Sequence, residues 1–472
     1  MPYNAFNQLE SVAVECNARD AIRILRSPIP RTMLKTIAAV LLTTGVFLQD
    51  VEAQQATAGP RIQVRTTSAS ILGDSIGIRL TGLQPGVEYQ LRLDATNEWR
   101  VAYRSENVFV AGADGMIDLD TSAPLRGSYV GSDRLGIFWS ATRQGTAPQV
   151  QPLDQPADSL SVSLTLRTGA RTVDSVRLTQ WLRRRGTSLR NLHQEGVVGA
   201  LYEPAGTSPR PLVVLIGGSG GGMTWQRQTA AVLASHGYNA LALAYFGAEG
   251  LPSSLSEIPL EYFETAIRQA MRSGRVDPTR VAVMGLSRGA EAALLIAAHV
   301  PEISAAIAFA PSHLSWMGQR PPDYPMVASW TQRGVPLPFV PTRELRPYRS
   351  SDNEAERHLR YMATHPEAVA QAAIPVEQIR GPILLFSGSD DPIWPSSFMA
   401  ERIEARLVEK KFAHKFARFS YEAAGHAFAR PGYISTSPGG FSGGDPRANA
   451  HAQNDSWRKV LDFLSEWVVR KR

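Results

Sequence analysis

The sequence has almost no cysteine: Cys16 is the only one among 472 residues. We expect Cys16 to lie in a leader, residues 1–53, that is removed from the mature protein. A mature chain without cysteine has no disulfide, no cysteine nucleophile and no thiolate metal site. Such a chain is compatible with export.

The apolar run in the leader is too short for a membrane span. Residues 37–48 (IAAVLLTTGVFL) number about a dozen, whereas a helix that crosses a bilayer needs about twenty. Basic residues precede the run, and residues 51–53 (VEA) follow it with the small-x-small pattern of a signal peptide. We therefore predict an exported protein, periplasmic or secreted, without a stable membrane anchor; a buried helix is the alternative. Met33 would be a conventional start, which leaves residues 1–32 as an extended gene model or a long n-region.

The sequence also has few clusters of charged residues of one sign. Charged residues make up 19% of the chain, the formal net charge is +6, and the densest basic cluster is the three arginines at 183–185. That cluster lacks the length and interleaved aromatics of a nucleic-acid patch, so no nucleic-acid partner is expected. The positive excess either steers anionic substrates or is a solvated surface. Composition leaves the oligomeric state open.

The length predicts two domains behind the leader, and the first is rich in β-type patterns. From residue 61 to about 167, short apolar-polar segments are separated by turn residues such as 83–86 (LQPG) and 113–115 (ADG). Residues 134–140 (RLGIFWS) are among the predicted strands, and 144–157 are predicted to be an exposed loop. Regular short strands of this kind favour an immunoglobulin-like β-sandwich over residues 54–170.

The pattern changes after about residue 170. Apolar β-branched runs now alternate with helical patterns, for example at 226–236 and 260–273. This alternation predicts an α/β domain over residues 171–472, with a mostly parallel sheet between layers of helices.

A candidate nucleophile lies in this second domain. The G-x-S-x-G pattern at 285–289 (GLSRG) follows a strand pattern at 280–284 and opens a helical pattern at 290–299. The strained elbow that presents a nucleophilic serine needs this strand–turn–helix context. We therefore predict Ser287 as the nucleophile of an α/β-hydrolase; a fortuitous glycine-rich turn is the alternative.

Two further matches to the same pattern differ in context. Residues 217–221 (GGSGG) follow the strand pattern at 212–216, but a run of glycines is too flexible to hold a nucleophile in one position. A loop at this position is better suited to supply backbone N–H groups, near Ser219, to an oxyanion. Residues 440–444 have no strand pattern before them and are predicted to be a loop.

We expect the acid and the base that accompany Ser287 to follow later strands of the same sheet. Asp390 and Asp391 follow the strand pattern at 382–387. The acid commonly stands three residues after a glycine in the position of Gly388, which selects Asp391 and leaves Asp390 as the alternative. His426 follows the next strand pattern and completes the chain order Ser, Asp, His.

These residues imply a mechanism without a metal or other cofactor. His426 accepts the Ser287 proton, Asp391 holds the imidazole tautomer, and the N–H of Arg288 with one near Ser219 stabilises the tetrahedral intermediate.

With these residues in place, the chain resembles the acyl-CoA thioesterase and bile acid-CoA:amino acid N-acyltransferase family over most of residues 61–468. The resemblance rests on the glycine loop, the elbow, and residues 237–245 (GYNALALAY), 330–341 (WTQRGVPLPFVP), 425–426 (GH) and 450–457 (AHAQNDSW). It implies an α/β-hydrolase fold behind a β-sandwich, and cleavage of small-molecule acyl thioesters or acyl transfer through a covalent acyl-enzyme. It also implies that His451 belongs to the start of the C-terminal helix and not to the triad.

Two departures from the family bear on the substrate. The amino-acid-conjugating members place cysteine at the elbow, and Ser287 at that position favours hydrolysis over conjugation. An exported enzyme would meet little acyl-CoA, which keeps an exported carboxylesterase or a dienelactone-hydrolase-like enzyme as the alternative. A third hypothesis is an inactive hydrolase whose sandwich is a binding module.

An insertion at residues 311–380 lies between two predicted core strands. It is rich in proline, aromatics and arginine: Trp316, Tyr324, Trp330, Phe339, Arg343 and Arg346. It is either a cap that lines an acyl pocket, with arginines near an anionic head group, or a surface excursion with its own small core.

Overall fold

The computed structural model describes residues 59–66, 70–97, 100–145, 157–320, 324–341, 353–432 and 441–469. The predicted leader with Cys16, most of the predicted loop at 144–157, and both Arg343 and Arg346 lie outside the described residues.

The first half of the described chain is built from strands with alternating burial. In the third strand, for example, Tyr89, Leu91 and Leu93 are buried while the residues between them are partly exposed, because successive side chains in a strand point to opposite faces. The elements are β1 (Arg61–Arg65), β2 (Gly77–Thr81), β3 (Glu88–Thr96), β4 (Ala102–Val110), β5 (Ile117–Asp118), β6 (Arg126–Gly127), α1 (Gly136–Trp139), β7 (Thr142–Arg143), β8 (Ser159–Thr168) and β9 (Arg171–Trp181).

These strands form two antiparallel sheets. One has the order β1-β2-β5, and the other has the order β6-β4-β3-β8-β9 with β7 paired to β4. Leu80 of the first sheet and Leu93 and Leu164 of the second belong to one buried apolar cluster. The second sheet continues to Trp181, beyond residue 170, because β9 pairs with β8 along its length.

The predicted strand over residues 134–140 is wrong, since Gly136–Trp139 is a short helix. Asp133 starts this turn by accepting the Leu135 N–H at 2.9 Å, and Ile137 and Phe138 are buried in succession. Two adjacent buried side chains do not fit the alternation of a strand. A Cβ on Gly136 would collide with the ring of Tyr129, so this packing requires glycine.

The second half contains a mixed series of strands and helices. They are β10 (Ser188–Leu192), β11 (Val198–Glu203), β12 (Arg210–Ile216), α2 (Thr224–Ser235), β13 (Asn239–Ala244), β14 (Ile258–Pro259), α3 (Leu260–Met271), β15 (Val276–Leu286), α4 (Arg288–His299), β16 (Ile303–Phe309), β17 (Trp330–Gln332), β18 (Val335–Pro336), α5 (Glu354–Thr364), α6 (Pro366–Gln371), β19 (Ile383–Gly388), α7 (Ser396–Glu409), β20 (Phe416–Tyr421) and α8 (Pro446–Val469).

Eight of these strands form one sheet with the order β10-β11-β13-β12-β15-β16-β19-β20. Along this order, every pair of neighbouring strands from β13 to β20 is parallel. At the other edge, β10 pairs antiparallel with β11, and β11 pairs antiparallel with β13. Neighbouring residues Val213 and Val214 are both buried but belong to different apolar clusters, so the sheet is covered on both faces. The predicted α/β class, with a mostly parallel sheet between helices, is confirmed.

Within the described residues, no helix combines the length and the apolar character that a membrane crossing requires.

Candidate active site

Ser287 occupies a tight turn between β15 and α4. Its φ of 59° and ψ of −124° lie in a region that non-glycine residues rarely adopt. A Cβ on Gly285 would collide with the Gly289 carbonyl, and a Cβ on Gly289 would collide with the Ile216 carbonyl, so both glycines are required. The Ser287 N–H donates to the Phe309 carbonyl at 2.9 Å. The turn is thus held in a strained conformation by the two neighbouring strands.

Asp391 follows β19 and contacts His426. Its Oδ2 lies 2.8 Å from His426 Nδ1 and accepts a hydrogen bond from Ser396 Oγ at 2.7 Å. Its Oδ1 accepts the N–H groups of Ile393 at 3.0 Å and Trp394 at 3.2 Å. These four contacts hold the Asp391 carboxyl group in one orientation.

Asp390, the alternative acid, points elsewhere. Its Oδ2 accepts the Gly444 N–H at 3.0 Å, and its side chain is exposed. The structure therefore brings Asp391, and not Asp390, to the imidazole.

The loop after β20 fixes His426. The His426 N–H donates to the Ser442 carbonyl at 2.7 Å, and the Gly425 N–H donates to Asn449 Oδ1 at 2.8 Å. The ring of Trp394 packs edge-on against the imidazole at 6.2 Å between centroids. The third G-x-S-x-G match, which contains Ser442, thus supports His426 through its backbone.

Ser287 and His426 line the same cavity of about 460 Å³. Residue exposures of 8% for Ser287, 7% for His426 and 7% for Asp391 show that all three are sheltered from bulk water. The strands that precede them, β15, β19 and β20, are parallel, so their carboxyl ends meet at one edge of the sheet.

The glycine loop after β12 forms another part of the cavity wall. Gly218, Ser219 and Gly220 line the cavity. A Cβ on Gly218 would lie 3.2 Å from the Ser287 Cβ, which shows how closely this loop approaches the elbow. The Arg288 N–H belongs to the first turn of α4, where helix N–H groups have no intrahelical acceptor. The two backbone segments predicted to supply oxyanion donors therefore flank Ser287.

The insertion both lines the cavity and has its own core. Trp316 and three residues of α5, namely Glu354, Arg357 and His358, lie on the cavity wall. Trp316 also belongs to a small apolar cluster with residues of α5, such as Tyr361. Burial lowers the pKa of His358, so this imidazole is neutral near pH 7.

Other aromatic residues of the insertion lie away from the cavity wall. Trp330 is fully buried and packs against Tyr245 with 5.7 Å between ring centroids. Tyr324 is exposed.

His451 lies on α8 and contacts Asp133, with 2.9 Å between Nε2 and Oδ2. The Arg447 guanidinium lies 2.9 Å from the same oxygen, and the Trp139 indole donates to it at 3.0 Å. His451 therefore joins the C-terminal helix to the first half of the chain.

Sequence reasoning missed two polar residues near the site. Ser396 is fully buried against Asp391, and Glu291 is fully buried on α4 beside the elbow. The signal for Glu291 was present, because a carboxylate interrupts an otherwise apolar helical run (AEAALLIAA) directly after the nucleophile motif. Ser396, a serine after a proline at the start of a helix, gives no comparable signal.

Two family descriptions match the chain. Residues 74–194 match the acyl-CoA thioester hydrolase/BAAT N-terminal region, and residues 258–469 match the BAAT/acyl-CoA thioester hydrolase C terminal.

Individual relatives match over most of their lengths. Acyl-coenzyme A amino acid N-acyltransferase 2 of Mus musculus is 26% identical over 426 residues, which cover 86% of this chain and 98% of the relative. Peroxisomal succinyl-coenzyme A thioesterase of Mus musculus is 27% identical, with 86% and 96% covered. Acyl-coenzyme A thioesterase 1 of Homo sapiens is 27% identical, with 83% and 93% covered.

Among solved structures, a dienelactone hydrolase-like promiscuous phosphotriesterase from metagenomic libraries matches with a TM-score of 0.37 and 15% identity, and covers 60% of this chain and 99% of its own. The matches to the family cover both halves of the chain, which belongs to the acyl-CoA thioesterase and bile acid-CoA:amino acid N-acyltransferase family.

Proposed function

We propose that this chain hydrolyses acyl thioesters of the acyl-CoA type through a covalent acyl-enzyme on Ser287. The observation that carries the proposal is the shared cavity of Ser287 and His426, with His426 held 2.8 Å from Asp391. Relatives named as acyl-coenzyme A thioesterases support the thioester as the substrate class.

In the acylation step, Ser287 Oγ attacks the thioester carbonyl as His426 accepts its proton. The oxygen of the tetrahedral intermediate takes hydrogen bonds from the Arg288 N–H and from an N–H near Ser219. The carbon–sulfur bond then breaks, and the thiol leaves with the proton from His426. In deacylation, His426 accepts a proton from water, the resulting hydroxide attacks the ester, and Ser287 regains its proton.

The serine nucleophile favours water over an amine as the acyl acceptor. An oxygen ester is less activated toward amines than the thioester that a cysteine would form. Ser287 therefore supports hydrolysis, although some relatives are named as N-acyltransferases.

A second candidate is the hydrolysis of oxygen esters by an exported enzyme. The leader pattern at residues 37–53 favours it, because acyl-CoA is scarce outside the cytoplasm. Export itself is a proposal, and the mass of the N-terminus of protein isolated from the producing cell tests it: an intact residue 1 or 33 would contradict cleavage near residue 53.

We also propose that about residues 54–170 together with β9 (Arg171–Trp181) form an immunoglobulin-like sandwich, and that the hydrolase domain, predicted over residues 171–472, begins after β9. The support is the pair of antiparallel sheets around one apolar cluster. An experimental structure in which these strands lack a Greek-key connection would contradict the first part.

A direct comparison of leaving groups tests the substrate class. Release of thiol from acyl-CoAs of several chain lengths is measured beside release of nitrophenol from the matching p-nitrophenyl esters, with the wild type and with Ser287→Ala. We expect kcat/KM for the thioesters to match or exceed that for the oxygen esters, and the variant to lose both activities. A clear preference for the oxygen esters would support the second candidate instead.

A further inference from the structure

A pair of buried charged side chains stands on the first turn of α4, directly after Ser287. Glu291 is fully buried and Arg288 is 7% exposed. Their side chains form an ion pair with 2.7 Å between Arg288 Nη1 and Glu291 Oε2. Burial raises the pKa of Glu291, and the guanidinium opposes that shift.

The Arg288 side chain binds the insertion. Its Nη2 donates to the Trp316 carbonyl at 3.3 Å, to the Met317 carbonyl at 3.2 Å and to Ser329 Oγ. These acceptors belong to two separate segments of the insertion, one near residue 316 and one near residue 329. Arg288 thus holds both segments against the start of α4.

The Glu291 carboxylate binds the same two segments. Its Oε1 accepts the Trp330 indole N–H at 2.6 Å and the Trp316 backbone N–H at 3.1 Å. Because Arg288 and Glu291 contact both segments, the ion pair joins the insertion to the helix that begins at the nucleophile.

The segment held in this way is a wall of the cavity. Trp316, Met317 and Gly318 all line the cavity. The distance between this segment and Ser287 therefore depends on the hydrogen bonds of Arg288 and Glu291 to Trp316 and Met317. A small displacement of this wall changes the space for an acyl chain without moving Ser287 itself.

A purely stabilising role does not account for the pair. Removing two charges from water costs about as much as their attraction returns, so apolar residues of similar size are often as stable as a buried ion pair. What an apolar replacement would not reproduce is the directed hydrogen bonding of both partners to the insertion.

We propose that Arg288 and Glu291 are positioning residues that set the acyl-chain preference by fixing the Trp316–Gly318 wall relative to Ser287. This inference rests on Ser287 being the nucleophile, as the proposed function states. It does not depend on whether the leaving group is a thiol or an alcohol.

Fluorophosphonates with methyl and with octyl chains test the inference on the full chain. Ser287 Oγ bonds to phosphorus, fluoride leaves and His426 takes the serine proton, so the probe needs no acyl leaving group. The measured quantity is the ratio of the inactivation rate constants for the octyl and methyl probes. It is compared between the wild type, Glu291→Gln and the double variant Arg288→Met with Glu291→Met.

We expect this ratio to change by about tenfold or more in both variants, because the wall is no longer held. Glu291→Gln leaves a buried guanidinium unpaired and destabilises the fold, whereas the double variant removes both charges and provides a folded test. Glu264→Gln, which breaks an exposed ion pair with Arg268 on α3, is the matched control and leaves the ratio unchanged.

The outcomes separate the two proposals. A wild type that reacts with both probes and a ratio that is the same in all variants would overturn the positioning role alone. A changed ratio in an enzyme that ignores acyl-CoA would leave the positioning role standing and overturn the thioester substrate. A wild type that reacts with neither probe would overturn both.

Discussion

Ser396 and His426 contact the same carboxylate oxygen, Asp391 Oδ2, at 2.7 Å and 2.8 Å. The hydroxyl of Ser396 therefore shares this oxygen with the imidazole and helps to fix the Asp391 carboxylate. Because the Ser396 side chain is fully buried, no water can replace its hydrogen bond without rearrangement.

The Ser396→Ala variant tests this arrangement. Loss of a hydrogen bond to a charged group corresponds to about 1.5–3 kcal/mol, and we expect kcat/KM to fall by about tenfold or more. Ser397→Ala is the control, since Ser397 Oγ donates to the Gly388 carbonyl at 3.0 Å. Equal activity of the two variants would show that Ser396 does not orient the acid.

The adjacent aspartates give a sharper comparison. In Asp391→Asn, the amide cannot hold the imidazole in the productive tautomer, and we expect kcat to fall by about 10³–10⁴-fold. Asp390→Asn removes an exposed negative charge and keeps an amide oxygen that can accept the Gly444 N–H, so we expect its kcat to stay within about twofold of the wild type. Steady-state kinetics of the two variants shows which aspartate is the acid. A larger loss of kcat in Asp390→Asn than in Asp391→Asn would make Asp390 the acid.

Asp133 makes stability depend on pH. Burial alone would raise its pKa, but hydrogen bonds from His451, the Leu135 N–H and Trp139 lower it to about 2. Since the folded pKa lies below the unfolded value of about 3.9, the carboxylate stabilises the fold above pH 4 and loses this effect as the pH falls toward 2.

We expect Asp133→Asn to lower the free energy of unfolding by about 2 kcal/mol at pH 7, and by progressively less between pH 4 and pH 2. Urea denaturation followed by circular dichroism at several pH values measures this difference. The exposed Asp114, changed to Asn, serves as the control. A destabilisation that is the same at pH 7 and pH 2 would mean that the charge of Asp133 does not contribute.

The elbow glycines are required by close packing. In Gly289→Ala, the new Cβ would collide with the carbonyl oxygens of Ile216 and Gly217, and we expect a loss of about 3 kcal/mol or more. Gly220→Ala is the control for folding, because its Cβ would meet no atom within 4 Å. Thermal unfolding of both variants measures the effect, and a fully stable Gly289→Ala would contradict the described turn.

The motifs that could be recognised in the sequence depend on residues that are close together along the chain. The glycines around Ser287 and the strand patterns before Asp391 and His426 are readable because a tight turn and a buried strand each need particular residues in consecutive positions. Parallel strands then bring the three loops to one edge, so their meeting could be predicted before any coordinates.

The features that could not be predicted from the sequence depend on contacts with residues outside the local segment. Gly136–Trp139 is helical because Asp133 begins a turn and Tyr129 leaves no room for a Cβ, and neither effect is visible in the apolar pattern. The roles of Ser396 and Glu291 depend on groups brought near by the fold.

The proposed hydrolysis depends on a covalent acyl group on Ser287, which rapid-quench mass analysis can detect. The wild type is mixed with an excess of acyl-CoA, quenched within milliseconds, digested and compared with Ser287→Ala. We predict that the peptide containing residue 287 gains the mass of the acyl group less one hydrogen, and that the variant shows no gain. An acyl adduct on another peptide, or equal adducts in both proteins, would contradict catalysis through Ser287.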